Sequence, residues 1–463
     1  MFVNVYTTAC MFTNIYPYLK SLNQDTSDFF YSCVIAVYPL GMFMSSPLLG
    51  YWFNISSTRQ PIVFVLVLVI ISNIIYVYCN QIPGNVAIWI VLISRFLMGV
   101  ASGCRATISA YVTAATTMEE RTGVMTNVYL TIPLAFTIGP LMGLLFEPLG
   151  SVGYVIPLIH LSLNIYTCPI IVCACVALIN LVLMIWFKEF LVITLTTRNT
   201  SKLQKANSKF LEYAALMSES SEQTPPIVVN KPYDRIGFWS LVFTSFCAYL
   251  LVTINDSLLT PVCMDEFGWT SVQTITFNNL LISICCLLGM GSMRVFTFLV
   301  KYVEERSLFL LEIMTLSIAF FLYIPWPGEL PELIHPLDGS SNSTIEMVGC
   351  DYKVKPWCLW VPKIHLFQYI LGTIIFCTNF PNVYSGSNTI ASKVIGTHPP
   401  GLLMGALTAG ISVGRCVGPI IFIFLYSNYG PQITFGAMTC VVISMILITL
   451  VTYKRIAPYS NFE

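Results

Sequence analysis

Long apolar runs separated by short polar connections follow one another along nearly the whole chain. Each run is long enough to cross a bilayer core of about 30 Å as a helix. The predicted spans cover about 1–19, 29–53, 61–80, 87–113, 122–146 and 169–188, and then about 236–262, 272–294, 307–324, 362–386, 402–427 and 432–453. The pattern therefore predicts an all-α membrane protein with twelve transmembrane helices in two six-helix halves.

A polar stretch at 189–235 separates the two halves. It carries lysines, glutamates and the Pro225-Pro226 pair, which is the composition of a solvated linker. The predicted organisation is a first six-helix half at 1–188, the linker, a second six-helix half at 236–455 and a tail at 456–463. The second half contains one long loop at 325–361.

Composition narrows the class of function. Charged residues make up 10% of the 463 residues, against about 25% in a soluble protein. Most of the 16 cysteines lie in apolar runs without paired CxxC motifs, so no zinc site is expected. We find no basic stripe for nucleic acid and no nucleophile–base pair or phosphate-cradling loop. The expectation is a non-enzyme without cofactor or metal, whose partners are the lipid bilayer and a small-molecule or ion substrate.

The basic residues predict the orientation. With both termini and the linker on one side, fifteen of the 22 Lys and Arg residues lie on that side, four lie on the other and three lie inside spans. The positive-inside rule places the termini and the linker in the cytosol. The loop at 325–361 then faces a lumen, where a glycan on Asn342 and a Cys350–Cys358 disulfide are chemically possible. The alternative for the cysteines is two free thiols.

The two halves carry related glycine and proline positions. Gly139-Pro140 in span five corresponds to Gly418-Pro419 in span eleven, once the long loop is allowed for. Glycine lets helices approach closely, and proline frees a carbonyl and bends its helix. These four residues are candidates for gating, with tight packing as the alternative.

Three motifs resemble those of major facilitator transporters. The segment from Gly50 to Arg59 resembles the G-x-L-A-D-R-x-G-R-K loop, Arg95 with Gly99 and Gly103 resembles R-x-x-x-G-x-x-x-G, and 139–143 resembles G-P-x-x-G. The resemblance implies a major facilitator fold, with Arg95 and Gly99 in gating or packing roles. Asn54 stands where the family loop has an acid, so the usual cytosolic salt bridges of that loop cannot be assumed.

Further segments are similar to one subgroup, the lysosomal major facilitators linked to late-infantile neuronal ceroid lipofuscinosis. These segments are Tyr16-Pro17-Tyr18-Leu19, Ser45-Ser46-Pro47-Leu48-Leu49-Gly50, Glu120-Arg121-Thr122, Trp357-Cys358 and Gly396-Thr397-His398-Pro399. The resemblance implies a lysosomal or late endosomal membrane protein that is glycosylated in the lumenal loop. It also implies chloride or another small anion as the cargo.

Ionisable residues deep inside spans point to a substrate site. Arg105, Asp256 and Arg415 lie in spans four, seven and eleven, and charges at such depth usually face the bundle interior or a water-filled cavity. Two guanidinium groups against one carboxylate favour an anionic cargo. Asp256 either neutralises an arginine or takes up a proton and couples transport to a pH gradient.

Other intramembrane polar residues have weaker assignments. Asn255 and Asn382 could supply hydrogen bonds to a substrate or could join neighbouring helices. Arg95 and Glu312 lie nearer the ends of their spans, where a long side chain reaches the membrane surface.

Three hypotheses follow. The first is an endolysosomal facilitator that moves a small anion such as chloride by alternating access or in a channel-like mode. The second is a proton-coupled antiporter of an organic solute, based on Gly139-Pro140 and Asp256. The third is a non-transporting receptor or scaffold with a facilitator fold, based on the altered loop at Asn54.

Overall fold

The computed structural model describes residues 2–22, 28–56, 59–82, 85–117, 119–150, 153–156, 161–186, 233–252, 254–336, 347–396, 398 and 400–456. The chain divides into two compact units. The larger unit comprises 1–177 and 233–463 and contains helices of both halves. Of the smaller unit, 178–232, the structure describes the end of one helix.

The first half forms six spans, two of which are broken. The helices are α1 Phe2–Leu22, α2 Asp28–Ile55, α3 Arg59–Tyr78, α4 Asn85–Ser102, α5 Cys104–Ala115, α6 Arg121–Tyr129, α7 Thr131–Leu145 and α8 Cys168–Trp186. Short 3-10 turns at Cys79–Gln81 and Glu147–Leu149 and an antiparallel pair, β1 Tyr154–Ile156 with β2 Leu161–Leu163, connect them. Helices α4 and α5 together form span four, and α6 and α7 form span five.

The second half also forms six spans. Its helices are α9 Arg235–Leu251, α10 Leu259–Phe267, α11 Ser271–Leu299, α12 Glu305–Leu322, α13 Leu366–Ile395 and α14 Pro400–Val451. A π-helical turn at Ile254–Leu258 joins α9 to α10 in span seven, and α14 bends at Gly430, so that it provides spans eleven and twelve. The long loop holds a short antiparallel pair, β3 His335–Pro336 with β4 Met347–Val348, and a 3-10 turn at Pro356–Leu359.

The helices confirm the predicted order of spans, with one boundary clearly different. Span ten was expected at 362–386, but α13 continues to Ile395. The polar residues in the added turns bond to their own helix: Asn388 donates to the carbonyl of Tyr384 at 2.8 Å, and Thr389 donates to that of Ser385 at 2.8 Å. Because these side chains find hydrogen-bond acceptors within their own helix, the helix continues although the residues there are less apolar.

The outer surface is apolar, as a bilayer requires. Leu48 and Phe367 are 70% and 74% exposed. Within the described ranges, seven helices are long and apolar enough to cross a membrane. Large exposed apolar surface of this extent is not tolerated by a soluble monomer.

The helix bundle has two ends, a basic face and a loop face. The basic face is the end with Arg121, Arg306 and Lys393, where α6 and α12 begin and α13 ends. The loop face is the opposite end, which carries the connection between α12 and α13.

Candidate functional site

A cavity lies between the two halves and contains about 1180 Å³ of space that atoms do not fill, including open solvent. Its lining comes from both halves and includes Ala9, Tyr31, Arg105, Tyr129, Pro140, Tyr249, Thr260, Asn278, Phe376, Phe380, Tyr384 and Arg415. Tyr31 and Asn278 lie near the loop-face ends of α2 and α11, so the cavity extends toward that face. The two charged residues among the described lining residues, Arg105 and Arg415, are both cationic.

The buried ring of Tyr38 in α2 brings together three arginines. Arg105 donates from Nη2 to the Tyr38 hydroxyl at 3.4 Å. The guanidinium carbons of Arg95 and Arg415 lie 5.2 Å and 5.4 Å from the centre of the ring. The electron-rich face of an aromatic ring attracts cations, so Tyr38 offsets part of the repulsion among these arginines.

The Tyr38 hydroxyl is itself held by two helices. It donates to the hydroxyl of Ser102 in α4 at 2.8 Å and accepts from Thr8 in α1 at 3.2 Å. The acceptor positions on this oxygen therefore face Thr8 and Arg105, which orients the Arg105 side chain.

Two glycines allow span four to reach Tyr38. A Cβ at Gly99 would lie 2.0 Å from the Tyr38 carbonyl oxygen, and one at Gly103 would lie 2.2 Å from the hydroxyl of Ser45. Gly103 also separates α4 from α5, so Arg105 stands at the start of a new helix. The packing part of the prediction for Gly99 thus has a direct physical reason.

Arg415 is positioned by an equivalent close approach in the second half. A Cβ at Gly414 would lie 2.2 Å from the carbonyl oxygen of Phe246 in α9. The contact brings α14 against α9 and directs the next residue, Arg415, into the cavity.

Arg105 carries its charge without an acidic partner among the described residues. It is 4% exposed, and within the described part of the chain no carboxylate lies in ion-pair distance of it. Its Nε has no hydrogen-bond partner there. A buried guanidinium with unused donors is costly, and an anion that enters the cavity would reduce this cost.

A wall of aromatic rings adjoins this cationic end. Tyr129 contacts Tyr384 with ring centres 4.8 Å apart, and Tyr384 contacts Tyr249 at 5.3 Å. The row of ring contacts continues with Phe380, whose ring centre lies 5.3 Å from that of Tyr249, and with Phe376, whose ring centre lies 5.5 Å from that of Phe380. Tyr129, the last residue of α6, also shares a 2.6 Å hydrogen bond with Ser109.

Several predicted site residues lie elsewhere. Asn382 is absent from the described cavity lining, and its amide nitrogen donates to Glu312 at 3.0 Å and to Ser292 at 3.3 Å. It therefore joins α13 to α12 and α11, as the helix-joining alternative anticipated. The side chain of Glu312 does not extend to the membrane surface, because its hydrogen bond with Asn382 holds it between α12 and α13.

The expectation that Arg95 reaches the membrane surface is wrong. Its side chain is fully buried, and it donates from Nη1 to the sulfur of Met11 at 3.3 Å in addition to lying over Tyr38. Its aliphatic stem and flat guanidinium pack between α1 and α2, which is possible because Tyr38 supplies a cation-binding surface inside the bundle.

Three predicted residues fall wholly or partly outside the described structure. Asp256 and Asn255 lie in the π-helical turn, but their side chains are outside the described residues, as is the whole of Asn342. A π-helical turn inside a span is rare and frequently occurs at functional sites.

The predicted glycine–proline pairs are buried in their helices. Pro140 lines the cavity, and a Cβ at Gly139 would lie 2.7 Å from that of Ala9 in α1. Gly418 and Pro419 lie one turn after Arg415. The close approach at Gly139 accounts for tight packing, and a gating role for these residues stays a prediction.

Hydrogen bonds connect the two halves at the basic face. Thr122 in α6 of the first half bonds two side chains of the second half: it accepts from Lys393 at 2.9 Å and donates to Glu305, which also pairs with Lys393 at 2.5 Å. Arg121 donates to the carbonyl of Ser392 at 2.9 Å. These contacts close the end of the bundle opposite the loop face.

The loop face is organised by a disulfide between Cys350 and Cys358. Between the two cysteines, Trp357 is fully buried and contacts Tyr426, with ring centres 5.3 Å apart. Lys355 forms an ion pair with Asp265 at the end of α10. The loop is thereby attached to spans seven and eleven.

One more carboxylate at the loop face is buried. Glu266 is 1% exposed and accepts a hydrogen bond from the backbone N–H of Ile364 at 2.9 Å. Its other oxygen has no hydrogen-bond partner in the described structure. Burial raises the pKa of Glu266 to about 8.

Sequence reasoning missed Tyr38 and the aromatic wall. Aromatic residues inside apolar spans look like ordinary lipid-facing or packing residues. Only the convergence of separate helices distinguishes Tyr38, Tyr249 and Tyr384 from the many other aromatic residues, and that convergence is not visible along one chain.

Comparisons with known proteins agree with this architecture. The model of the Major Facilitator Superfamily matches residues 1–333. The chain is 30% identical to major facilitator superfamily domain-containing protein 8 of Xenopus laevis, over all of this chain and 91% of that protein.

Solved structures with a similar fold include two transporters. The human organic anion transporter MFSD10 aligns with a TM-score of 0.62 and 14% identity over 97% of this chain and 96% of that one. The proton:xylose symporter XylE aligns with a TM-score of 0.68 and 11% identity, over 99% of this chain and 94% of that one. The family-model match and the 30% identical relative show that the chain belongs to the Major Facilitator Superfamily, in agreement with the two six-helix halves and the cavity between them.

Proposed function

We propose that this protein is a transporter of the lysosomal or late endosomal membrane that moves a small anion, chloride being one candidate. The observation that carries the proposal is Arg105, which is buried in the cavity without an acidic partner in the described structure. Arg415, which lines the same cavity, adds a second guanidinium. Guanidinium groups bind anions through a fork of several donors.

The conformation supports loading from the lumen. In the proposed orientation the basic face is cytosolic and the loop face is lumenal. The contacts of Lys393 and Arg121 close the cytosolic end, while the cavity extends toward Tyr31 and Asn278. Transport by alternating access then requires the contacts at the basic face to break, whereas a channel-like mode requires a path past them.

Two further facts support the proposal. The solved transporter MFSD10 is described as an organic anion transporter and has a similar fold. The chain matches major facilitator superfamily domain-containing protein 8 along its entire length, which agrees with the subgroup expected from the motifs.

The test is anion flux in proteoliposomes that contain the full chain and a chloride-sensitive dye. We expect Arg105→Ala to lower flux by about tenfold or more, since hydrogen bonds to charged groups contribute about 1.5–3 kcal/mol. Arg455→Ala, which removes an exposed arginine at the basic face, serves as the matched control. Wild-type flux in Arg105→Ala would exclude Arg105 as the anion site.

A proton-coupled antiporter of an organic solute is the second candidate. The observation that favours it is the π-helical turn that contains Asp256 in the middle of span seven. The same vesicles with an imposed pH gradient test it: Asp256→Asn should abolish pH-driven uptake and leave uptake driven by a solute gradient. If Asp256→Asn retains full pH-driven uptake, this candidate is excluded.

The scaffold alternative loses its main support. It was based on the missing acid at Asn54, but the Asn54 side chain still bonds the second half at Gly401. A folded preparation that shows neither flux nor binding for any anion tested would restore it.

A further inference from the structure

The cavity extends beyond the two arginines. Its lining continues past Arg105 and Arg415 to apolar and aromatic residues, which include Ile282, Phe376 and Phe380. Pockets for organic ligands are lined mostly by apolar and aromatic side chains, with a few polar groups that fix the orientation of the ligand. The lining therefore fits an organic ligand.

The aromatic wall gives this ligand a shape. Tyr384, Phe380 and Phe376 lie on one helix, α13, and all three line the cavity. From Tyr384 to Phe376 the helix rises about 12 Å, at about 1.5 Å per residue. The rings therefore form a surface that begins at the level of Arg105 and runs toward the loop face.

The two ends of this surface differ in polarity. The described charged residues at the cavity are Arg105, which bonds Tyr384, and Arg415. At the other end Phe376 and Phe380 stack with ring centres 5.5 Å apart and ring planes 12° from parallel. A ligand that matches both ends has an anionic group at one end and a flat apolar body.

We infer that the cavity binds an organic anion with an aromatic body, with its acidic group at Arg105 and Arg415 and its ring against Phe376 and Phe380. This inference rests on the proposed anion transport and specifies the substrate class of the same site. Inorganic anions occupy the cationic end alone and bind more weakly, because each aromatic contact adds about 0.5–1.5 kcal/mol.

The test measures binding to the full chain in nanodiscs by the shift of the thermal unfolding midpoint, since a ligand that binds only the folded state stabilises it. Three probes separate the contributions: 2-naphthalenesulfonate has both ring and charge, methanesulfonate has the charge alone, and 2-naphthalenesulfonamide has the ring without the charge. We expect 2-naphthalenesulfonate to bind at least tenfold more tightly than either of the other two.

Two variants assign the contributions to residues. Phe376→Leu with Phe380→Leu should lower the affinity ratio of 2-naphthalenesulfonate to methanesulfonate by about tenfold, since 1.4 kcal/mol corresponds to a factor of ten. Arg105→Lys should weaken both sulfonates and leave the sulfonamide as it is. Phe435→Leu is the matched control, since Phe435 is equally buried but stacks on Tyr323 and is absent from the described lining.

The outcomes separate the inference from the proposed function. If both sulfonates bind with equal affinity and chloride flux is present, the aromatic ligand is wrong and anion transport stands. If neither sulfonate binds and no anion moves, the proposed function fails as well. If the double variant keeps the wild-type affinity ratio, the ring is not bound at Phe376 and Phe380, and the inference is overturned even where naphthalenesulfonate binds tightly.

Discussion

The side-chain oxygen of Asn54 accepts a hydrogen bond from the backbone N–H of Gly401 at 3.1 Å. Asn54 lies at the end of α2 in the first half, and Gly401 lies in the first turn of α14 in the second half. Glycine on each side allows the approach, because a Cβ at Gly50 would lie 2.4 Å from the carbonyl oxygen of Gly401. An uncharged side chain stands where the family loop has an acid, and it bonds the first turn of a helix in the other half.

Restoring the acid should strengthen closure of the basic face. A carboxylate near a helix N-terminus contributes about 0.3–1 kcal/mol more than a neutral group. Asn54→Asp should therefore raise the ratio of molecules with a closed basic face to molecules with an open one about two- to fivefold. Asn54→Ala should lower it by losing the hydrogen bond. Distances between spin labels at Glu119 and Tyr302 measure the ratio, after the exposed Cys175 and Cys440 are replaced. Identical distance distributions in all three proteins would show that the contact does not hold the halves.

The Lys393–Glu305 pair lies within the second half and should hold the basic face closed more strongly, because both side chains bond Thr122 of the first half. Both side chains are little exposed, at 12% and 14%, and removal of one partner leaves a largely buried charge. We expect Lys393→Met to favour the open state by about 2–3 kcal/mol, and the double variant Lys393→Met with Glu305→Met to favour it less than Lys393→Met does.

The same spin labels report this effect. Arg306→Ala is the control, because Arg306 pairs with the exposed Glu304, whereas Lys393 and Glu305 both bond Thr122 of the first half. If the double variant opens more than Lys393→Met alone, the pair does not act as a unit and the explanation is wrong.

Much of the fold followed from the sequence because lipid imposes a simple rule on it. A span must be apolar and about 20 residues long, so the twelve spans and their order could be predicted. The breaks could not. Gly103 and Leu130 interrupt spans four and five inside continuous predicted spans, and neither glycine nor proline marks the π-helical turn at Ile254–Leu258.

The candidate site was predictable only for its charges. Arg105 and Arg415 stand out because arginine is rare inside a membrane, and the structure brings both to Tyr38. Arg95 was misplaced because its depth along the span gives no information about which neighbour faces it. Tyr38 itself is one of 24 tyrosines, and its importance comes from four helices meeting at one ring.

The bend of α14 at Gly430 should be needed for Trp357 of the long loop to pack against this helix. Gly430 has φ +84°, and a Cβ there would lie 2.9 Å from the ring of the buried Trp357. Gly430→Ala therefore meets both backbone strain and a steric clash, and we expect it to lower stability by about 1–3 kcal/mol.

A second glycine in the same helix provides the comparison. Gly436 has helical conformation, and a Cβ there meets nothing within 4 Å. Gly436→Ala should be neutral or stabilising by about 1 kcal/mol, because alanine favours helix. Thermal unfolding of the two variants in one detergent measures the contrast, and equal midpoints would show that Trp357 yields to a side chain at Gly430.

Stability of the loop face should fall as pH rises. Glu266 has an ordinary pKa near 4.5 and a folded-state pKa of about 8, raised first by burial and then by the charge of Asp265; Ile364 N–H, Lys355 and Lys363 act in the opposite direction. The folded state therefore holds this proton more tightly than the unfolded chain does. Its contribution is fully present below about pH 4.5 and is lost progressively up to about pH 8, at up to about 1.4 kcal/mol per pH unit.

Glu266→Gln removes this proton without changing shape, so its unfolding midpoint should vary less between pH 5 and pH 8 than that of the wild type. Glu329→Gln is the control. Its carboxylate is exposed beside Lys363, whose hydrogen bond and charge lower the pKa of Glu329. The small contribution of Glu329 to stability is therefore present above about pH 4.5 and is lost as the pH falls, which is the opposite dependence to that of Glu266. If Glu266→Gln keeps the full wild-type slope, another group carries the pH dependence. If it flattens the slope, a neutral carboxyl group holds the loop at low pH, and the loop loosens as the pH rises toward 8.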